Sequence, residues 1–208
     1  MKVYTLILGP MLNCTYIVEN NGHAILIDPS WEMDAIENFL AEKSLKPAAI
    51  FFTHSHQDHM ANADKLLKKY DLKGYLEEKD EPFSTLPKKL LSLYRAPKIF
   101  EIADLKIETI PTPGHTRGSV CIRIGNILFT GDTLFVNSVG RTDLPGANPE
   151  DLIKSLTQLT SLPKDTVIYT GHSYGGEDGF KSTIKQELSS NPYLKMAKEN
   201  PKVLEDML

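Results

Sequence analysis

The sequence of 208 residues has little cysteine, a single tryptophan and no excess of basic charge. Its two cysteines, Cys14 and Cys121, form no CxxC pair, which excludes a disulfide framework and a structural zinc knuckle. No segment approaches the about 18 consecutive apolar residues that a membrane-spanning helix requires. The net charge of −4 and the isoelectric point near 5.9 exclude a strongly basic surface for nucleic acid or for acidic membranes.

The N-terminal residues are not typical of a secretory signal. An apolar stretch follows Lys2, but Gly9 and Pro10 interrupt it before it reaches the about 7–15 residues of a signal core. Two cysteines without a pairing pattern also favour a reducing compartment. We therefore expect a cytoplasmic protein.

The composition is typical of one folded domain. Hydrophobic residues make up 41% and charged residues 24%, which disfavours disorder, and the length suits a single domain over residues 1–208. Apolar, β-rich runs predict strands at residues 3–8, 14–18, 24–27, 49–53, 106–110, 120–124, 127–130 and 166–170. Helical patterns occur at residues 31–43, 61–70, 149–159 and 180–189.

Hairpins and single helices alternate along this pattern. Turn residues at 20–22 and 125–126 predict two β-hairpins. This order favours an α/β arrangement of two mixed sheets with helices outside, rather than a strictly alternating parallel sheet. Residues 77–97 are polar and contain several prolines, which predicts a helix plus a loop over the surface. Residues 191–208 predict a final amphipathic helix or a fraying helical tail.

Three of the six histidines lie within the short sequence THSHQDH at residues 53–59. A lone histidine is usually a surface residue or a satisfied core residue, but this cluster follows a predicted strand and includes a carboxylate. Imidazole and carboxylate are ligands that zinc and iron accept. We expect His54 and His56 to face one ion, and Asp58 and His59 to face its neighbour.

Three more candidate ligands follow predicted strands. His115 lies in a Gly-His-Thr sequence, Asp132 in Gly-Asp-Thr, and His172 in Gly-His. Each pair alone is a common turn sequence. Because adjacent strand ends converge on one edge of a sheet, their coincidence predicts a shared site. His23 lies in a predicted hairpin without such a context, and we expect it to be solvated.

The HxHxDH run, followed in order by Gly-His-Thr, Gly-Asp-Thr and Gly-His, resembles the metallo-β-lactamase fold superfamily over essentially the whole chain. The resemblance implies an αββα sandwich with two metal ions at one edge of the sheets. It implies that His54, His56 and His115 hold the first metal, that Asp58, His59 and His172 hold the second, and that Asp132 bridges the two.

The resemblance also implies a chemistry. Two divalent ions, zinc first with iron or manganese as alternatives, lower the pKa of a bridging water toward about 7 and supply hydroxide at neutral pH. The hydroxide attacks a carbonyl carbon while a metal steadies the oxyanion that forms. Asp58 is the candidate catalytic residue that orients the hydroxide and moves its proton. No side-chain nucleophile is required.

Within the superfamily the sequence is similar to the glyoxalase II (hydroxyacylglutathione hydrolase) group. The similar segments are FTGDTLF at residues 129–135, GRTDLPG at 140–146 and STIKQELSSNPYL at 182–194. Zinc β-lactamases typically have Cys at the position of Asp132, and flavodiiron proteins usually have Glu at that of His56. Few residues follow Ser189, so we expect no counterpart of the C-terminal helical domain of glyoxalase II. We therefore expect hydrolysis of a small-molecule thioester or ester, with the leaving group left open.

Persulfide dioxygenase is the alternative on the same fold. GRTD at residues 140–143 and GHSY at 171–174 also resemble that branch. Such enzymes use one iron in a two-His, one-carboxylate site, which here would comprise His54, His115 and Asp132. Val139 stands where that branch usually has Cys, which favours the hydrolase.

Two further residues are candidates for contact with substrate. Tyr174 follows His172 by two positions, so it either donates a hydrogen bond to a substrate oxygen or packs as an aromatic side chain. Arg141 either binds substrate or pairs with Asp143 to shape their loop.

Other function classes lack support in the sequence. GHSYG at residues 171–175 matches the serine-hydrolase elbow, but no histidine follows Ser173 to complete a triad. The sequence has neither a phosphate-binding GxxxxGK[ST] loop nor a GxGxxG fingerprint. RNA-processing relatives share HxHxDH, but the acidic composition disfavours that role. A non-catalytic binding domain would be expected to have lost ligands, and all seven positions are filled.

Overall fold

The computed structural model describes residues 1–174 and 179–205, and most of its strands form two six-stranded mixed sheets. The first sheet runs in chain order through β1 (Lys2–Leu8), β2 (Asn13–Asn20), β3 (His23–Ile27), β4 (Lys46–Phe51), β5 (Gly74–Glu77) and β6 (Leu91–Tyr94). β1 to β3 are antiparallel, and β3 to β6 are parallel. The predicted turn at residues 20–22 is confirmed, because Asn21 and Gly22 take φ values of 49° and 76° between paired strands.

The second sheet contains the strands of the C-terminal half. They are β7 (Lys98–Ile102), β8 (Leu105–Pro111), β9 (Val120–Ile124), β10 (Ile127–Gly131), β13 (Val167–Thr170) and β14 (Lys181–Thr183). Their spatial order is β14-β13-β10-β9-β8-β7, and only β10 and β13 run parallel. A separate short hairpin comprises β11 (Leu134–Phe135) and β12 (Ser138–Val139).

Helices cover the outer face of each sheet. On the first sheet lie α1 (Met33–Glu42) and α3 (Ala63–Lys69), and on the second lie α4 (Pro149–Leu159) and α6 (Pro192–Glu199). The shorter helices are α2 (Gln57–Met60), α5 (Ile184–Ser190) and α7 (Pro201–Glu205). None of the helices in the described ranges has the length and apolar character needed to cross a membrane.

Successive side chains of a strand point to opposite faces of its sheet, so neighbouring residues lie in different apolar cores. In β2, Tyr16 and Val18 lie in the core between the sheets, whereas Ile17 packs in the core that includes α1. In β9, Ile122 faces the middle core and Cys121 faces the core that includes α4. Strands buried on both faces must be apolar at successive positions, which is why their sequence runs are continuous rather than alternating. The predicted αββα architecture is confirmed.

Several element predictions were wrong. Residues 77–97 form 3₁₀ turns at Glu78–Phe83 and Lys88–Leu90 followed by strand β6, rather than a helix and loop. The helix predicted at 180–189 begins only after β14, because the Thr183 hydroxyl caps α5 by accepting from the N–H of Gln186 at 3.1 Å. Strands β5, β6 and β7 were not predicted. They are only four or five residues long, so each offers a short and weak apolar pattern.

The C-terminal tail is helical in its described part, as α6 and α7. Residues 206–208 of the predicted tail and Gly175 of the GHSYG match lie outside the described residues.

Candidate metal centre

The loops that carry the predicted ligands follow four strands of the two sheets. The THSHQDH loop follows β4, and the loops carrying His115, Asp132 and His172 follow β8, β10 and β13. Packing of the sheets brings all four loops to one edge of the sandwich. The structure therefore brings the seven predicted ligands together.

His54, His56 and His115 form the first group. One ring nitrogen from each lies within 4.8 Å of the others, and His56 Nδ1 lies 2.9 Å from His115 Nε2. His54 and His115 are buried, and His56 is half-buried.

Asp58, His59 and His172 form the second group, with ligand atoms again within 4.8 Å of one another. The Nε2 atoms of His59 and His172 are 3.2 Å apart. The Asp58 Oδ2 atom lies 3.3 Å from His172 Nε2. One carboxylate and two imidazoles thus converge beside the first group.

Asp132 lies between the groups. Its Oδ1 atom is 3.2 Å from His59 Nε2, and its Oδ2 atom is 3.5 Å from His115 Nε2 and 3.3 Å from His172 Nε2. The carboxylate therefore contacts histidines of both groups, which is the position that a bridging ligand needs.

Hydrogen bonds at the Nδ1 atoms of the histidines orient the rings so that the Nε2 atoms face the site. His115 Nδ1 lies 2.9 Å from the Arg141 carbonyl oxygen, and His172 Nδ1 lies 2.9 Å from the Met11 carbonyl oxygen. A carbonyl only accepts, so both Nδ1 atoms carry a proton, and both Nε2 atoms face the site as the nitrogens that can bind metal. His59 is oriented in the same way, with Nδ1 3.0 Å from a carboxylate oxygen of Asp28.

This donor set fits divalent metal ions. Imidazole nitrogens and the Asp132 carboxylate converge in a buried space, which is unfavourable unless protons or a metal cation lie between them. In addition, His54 Nε2 and Asp132 Oδ1 are buried and make no hydrogen bond with the described residues. Imidazole and carboxylate donors in these numbers suit zinc, iron or manganese.

The electrostatics also favour cations. Burial lowers the pKa of His54 well below its ordinary value and also lowers that of His56, so both imidazoles are neutral, as metal ligands must be. Burial opposes ionisation of Asp132, but the neighbouring His59 and His172 outweigh it and hold the Asp132 pKa well below its ordinary value. At His172, burial is outweighed by hydrogen bonds with Asp132 and Asp58, which raise the pKa to about 9. Metal binding displaces such protons.

Asp28 is a site residue that sequence reasoning missed. Its Oδ1 accepts the N–H of Thr53 at 2.7 Å, and its Oδ2 accepts the Thr53 hydroxyl at 2.6 Å as well as the His59 Nδ1–H. Although Asp28 lies close to His54 and His59, these bonds occupy both oxygens, so it supports ligands rather than competing for metal. The sequence contains the signal that identified the other candidates, because Asp28 directly follows the apolar strand β3.

Asn13 is the second missed residue. Its Nδ2–H donates to Asp58 Oδ2 at 2.8 Å, and its Oδ1 accepts the indole N–H of Trp31 at 2.9 Å. The Trp31 bond fixes the amide orientation, so the donor faces Asp58. No local sequence pattern marks Asn13, since its partners lie 18 and 45 residues away.

Both predicted substrate-contact residues border the site. Tyr174 is 59% exposed and its ring stacks on His172, with centroids 4.9 Å apart and planes 6° from parallel. Arg141 makes two hydrogen bonds to Asp143, at 2.6 and 2.7 Å, as the loop-shaping interpretation predicts. Its backbone carbonyl, rather than its guanidinium, orients His115.

A cavity of about 410 Å³ opens over the ligands. Its floor contains His56, Asp58, His115, Asp132 and His172, and its walls contain Met11, Phe135, Leu144 and Tyr174. Polar ligands on the floor with mostly apolar walls are typical of a site for a small organic molecule.

Comparison with known proteins places these features in a family. The family model for the metallo-beta-lactamase superfamily matches residues 9–172. The chain is 33% identical over 190 residues to the probable polyketide biosynthesis zinc-dependent hydrolase BaeB of Bacillus velezensis, covering 90% of this chain and 84% of that protein.

Two solved structures are similar in sequence as well as fold. ETHE1 from Myxococcus xanthus superposes with a TM-score of 0.86 at 28% identity, covering 100% of this chain and 91% of that one. TTHA1623, solved in a di-iron-bound form, superposes with a TM-score of 0.79 at 31% identity, covering 91% of this chain and 99% of that one. These matches agree with the two sheets packed between helices and with the convergent His and Asp donors. The chain therefore belongs to the metallo-beta-lactamase superfamily and has a site for divalent metal.

Proposed function

We propose that the protein is a metal-dependent hydrolase that cleaves a small-molecule thioester or ester, in the manner of glyoxalase II. The observation that carries the proposal is the pair of three-ligand groups that share Asp132 beneath an apolar-walled cavity. Similarity to a probable zinc-dependent hydrolase supports it.

Two zinc ions suit the donor set best, with iron or manganese as alternatives. The first would be held by His54, His56 and His115, the second by Asp58, His59 and His172, and Asp132 would join them. Bound divalent ions would lower the pKa of water toward about 7 and polarise a substrate carbonyl.

Asp58 is the proposed proton-handling residue. Its side chain is 18% exposed, whereas that of Asp28 is 3% exposed, so Asp58 is the supporting carboxylate that reaches the cavity. Asn13 donates a hydrogen bond to its Oδ2 atom, and nearby His172 and His59 keep the pKa of Asp58 low against the effect of burial. The ionised carboxylate can accept a proton at neutral pH and return it to the leaving group.

Other side chains bind and orient the substrate. Phe135, Met11 and Leu144 contact its apolar part and exclude water from the walls. The Tyr174 hydroxyl is the proposed donor to a substrate oxygen, since its ring is held in place by stacking on His172 and by an edge contact with Phe135.

The test combines metal analysis with one substitution. Purified protein is expected to contain two divalent ions per chain and to hydrolyse simple thioesters, with S-lactoylglutathione included in the screen. Asp58→Asn is expected to lower kcat by about 10²–10⁴-fold, because an amide cannot accept the proton. Asp64→Asn, at a surface residue paired with Lys68, is the matched control. Turnover of every substrate unchanged by Asp58→Asn at full metal content would contradict the proposal.

A mononuclear iron persulfide dioxygenase is the second candidate. It is favoured by His54, His115 and Asp132, which match a two-His, one-carboxylate iron site. The similar protein TTHA1623, solved in a di-iron-bound form, supports iron as the metal but not a single ion. Electron paramagnetic resonance and oxygen uptake on addition of glutathione persulfide distinguish it. One ferrous ion per chain together with oxygen uptake would replace the hydrolase proposal.

A further inference from the structure

A second cavity, of about 330 Å³, adjoins the metal-lined cavity. His56 and Leu144 line both, so the two cavities share a wall at the metal site. The second cavity extends away from this wall between Phe83 and Arg117. A substrate longer than the first cavity can therefore continue into the second.

Arg117 gives the second cavity a positive charge. Its Cζ atom lies 6.0 Å from the centre of the Phe83 ring, and no carboxylate of the described residues lies within ion-pair distance of it. The other three arginines each have a carboxylate partner: Arg95 has Glu78, Arg123 has Glu108 and Arg141 has Asp143. No acidic residue lines this cavity in the described structure. The Arg117 guanidinium is exposed and is free to pair with an anionic ligand group.

The backbone on both sides of Arg117 is held in place. Asp80 accepts the Thr116 hydroxyl at 2.8 Å and the Gly118 N–H at 2.7 Å. Asp80 is fully buried and uses its oxygens on these groups and on the N–H of Ser55. The negative charge of Asp80 is therefore neutralised by backbone and hydroxyl donors. The loop that these bonds hold in place carries Arg117 in a preorganised position.

Ser55 supplies a second, independent indication. It lies between two predicted metal ligands, lines the second cavity and is buried, yet its Oγ atom makes no hydrogen bond with the described residues. Buried hydroxyls without partners are uncommon in folded proteins. The Oγ atom is closed to solvent, so a ligand oxygen in this cavity would satisfy it once the Ser55 side chain turned toward the cavity.

The apolar part of the lining suits a carbon chain. Phe83 is 47% exposed although it is aromatic, and Leu144 and Pro145 also line the cavity. Burying such side chains against methylene groups is favourable. The cavity thus combines an apolar path with a charged end.

We propose that the second cavity binds an anionic group, a carboxylate or a phosphate, at the far end of the carbon chain of the substrate, with Arg117 as the residue that selects it. This inference rests on the proposed hydrolase function, and it assigns that function to elongated substrates with a terminal anion. The reactive carbonyl lies in the first cavity, the chain passes Leu144 and Phe83, and the anion meets Arg117 and Ser55.

The first experiment compares sets of three N-acetylcysteamine thioesters of equal chain length, which end in a methyl, a carboxylate or a phosphate. Wild-type protein is expected to prefer one anionic series by kcat/KM. Arg117→Gln is expected to lower that preference by about 10- to 100-fold, the usual effect of losing a charge-assisted hydrogen bond. The methyl-terminated thioesters are expected to react at unchanged rates. The control is Arg123→Gln. Arg123 lies on β9, away from both cavities, and its guanidinium pairs with Glu108.

Preference for the carboxylate or for the phosphate series supports the proposal and identifies the anion. Equal preference in wild-type and Arg117→Gln proteins overturns it, as does an equal loss of activity on methyl-terminated thioesters. Ser55→Ala separates the two contacts, and a further loss of anion preference in this variant supports the role of its hydroxyl. An unchanged preference in Ser55→Ala removes Ser55 from the proposal.

A failure of the hydrolase proposal is distinguished by a binding measurement. If no thioester is hydrolysed, calorimetry with n-hexyl phosphate and n-hexanol on metal-loaded protein tests the cavity alone. Binding of hexyl phosphate that is at least about tenfold weaker in Arg117→Gln than in Arg123→Gln supports the anion site. Binding that is equal in both variants overturns it, since the anion would then bind elsewhere.

Discussion

Asp28 shows how one buried carboxylate can orient a metal ligand. It accepts three hydrogen bonds in a position closed to solvent, two from Thr53 and one from His59. The bond from His59 Nδ1 fixes the ring orientation and directs Nε2 at the site. Thr53 in turn lies 3.0 Å from His54 Nδ1, so Asp28 influences one ligand of each group.

We predict that Asp28→Asn weakens metal binding by about 10- to 100-fold, the usual effect of losing an outer-shell partner. The amide has one acceptor oxygen in place of two, so it cannot satisfy Thr53 and His59 together. Competition with a chromogenic chelator measures the metal affinity. The control is Asp104→Asn, at an exposed residue that bonds only Asn21 in the described structure. Equal affinities in the two variants would show that Asp28 does not orient the ligands.

The 3₁₀ turn at Glu78–Phe83 joins elements of both sheets. Its Asp80 binds the N–H of Ser55, in the loop after β4, at 2.8 Å. It also binds Thr116 and Gly118, in the loop after β8. One buried side chain thus connects the ligand loops of two different sheets, and a turn predicted to be surface structure is part of the site.

Asp80→Asn is expected to lower the free energy of unfolding of the metal-loaded protein by about 1.5–3 kcal/mol, because an amide NH₂ would face hydrogen-bond donors. Urea unfolding measures this change. The same variant should bind the metal of the first group more weakly, since Ser55 and Thr116 lie next to its ligands. A change within about 0.5 kcal/mol, as at ordinary surface sites, would refute the connecting role.

Strands and helices were predicted correctly where the local sequence marks both of their ends. Strand β9 and helix α4 have the bounds predicted, because an apolar run or an amphipathic pattern ends at clear turn or cap residues. Asn148, for example, caps α4 by accepting the N–H of Asp151 at 2.9 Å, and proline follows it. Edge strands β7 and β14 were missed because an edge buries few side chains, and their pairing partners are supplied by the tertiary fold.

The two cysteines lie in different cores. Cys14 lies in the core between the sheets, and Cys121 lies in the core between the second sheet and its helices. Burial raises the pKa of both thiols to about 12, so thiolate is scarce at pH 8 and reagent has no access. Reaction of either thiol therefore reports opening of the molecule.

Chelation is expected to accelerate labelling of both thiols at pH 8. Metal that binds only the folded state stabilises it by about 2.7 kcal/mol at a free concentration 100 times Kd, which lowers the population of the open state about 100-fold and slows labelling in proportion. Labelling with a chromogenic disulfide reagent, with and without EDTA, measures the effect. Protein unfolded in guanidinium serves as the control, in which both thiols react at once. Equal labelling rates with and without EDTA would contradict a metal that stabilises the whole fold.

The sequence by itself predicted which residues converge at the candidate metal site and in which order they occur. Each segment that carries candidate ligands follows an apolar strand, and both signals lie within a few neighbouring residues, so no long-range information was needed. The two-sheet architecture followed from the same runs and their turn residues.

Only the tertiary structure decided the supports and the shape of the site. Asp28, Asn13 and Asp80 act through partners distant in the chain, and the cavity at Arg117 is built from loops of both sheets. The physical reason is that a hydrogen bond or a cavity wall depends on distances that exist only after the sheets have packed. Local sequence patterns specify strands and their ends, whereas packing specifies which of those ends meet.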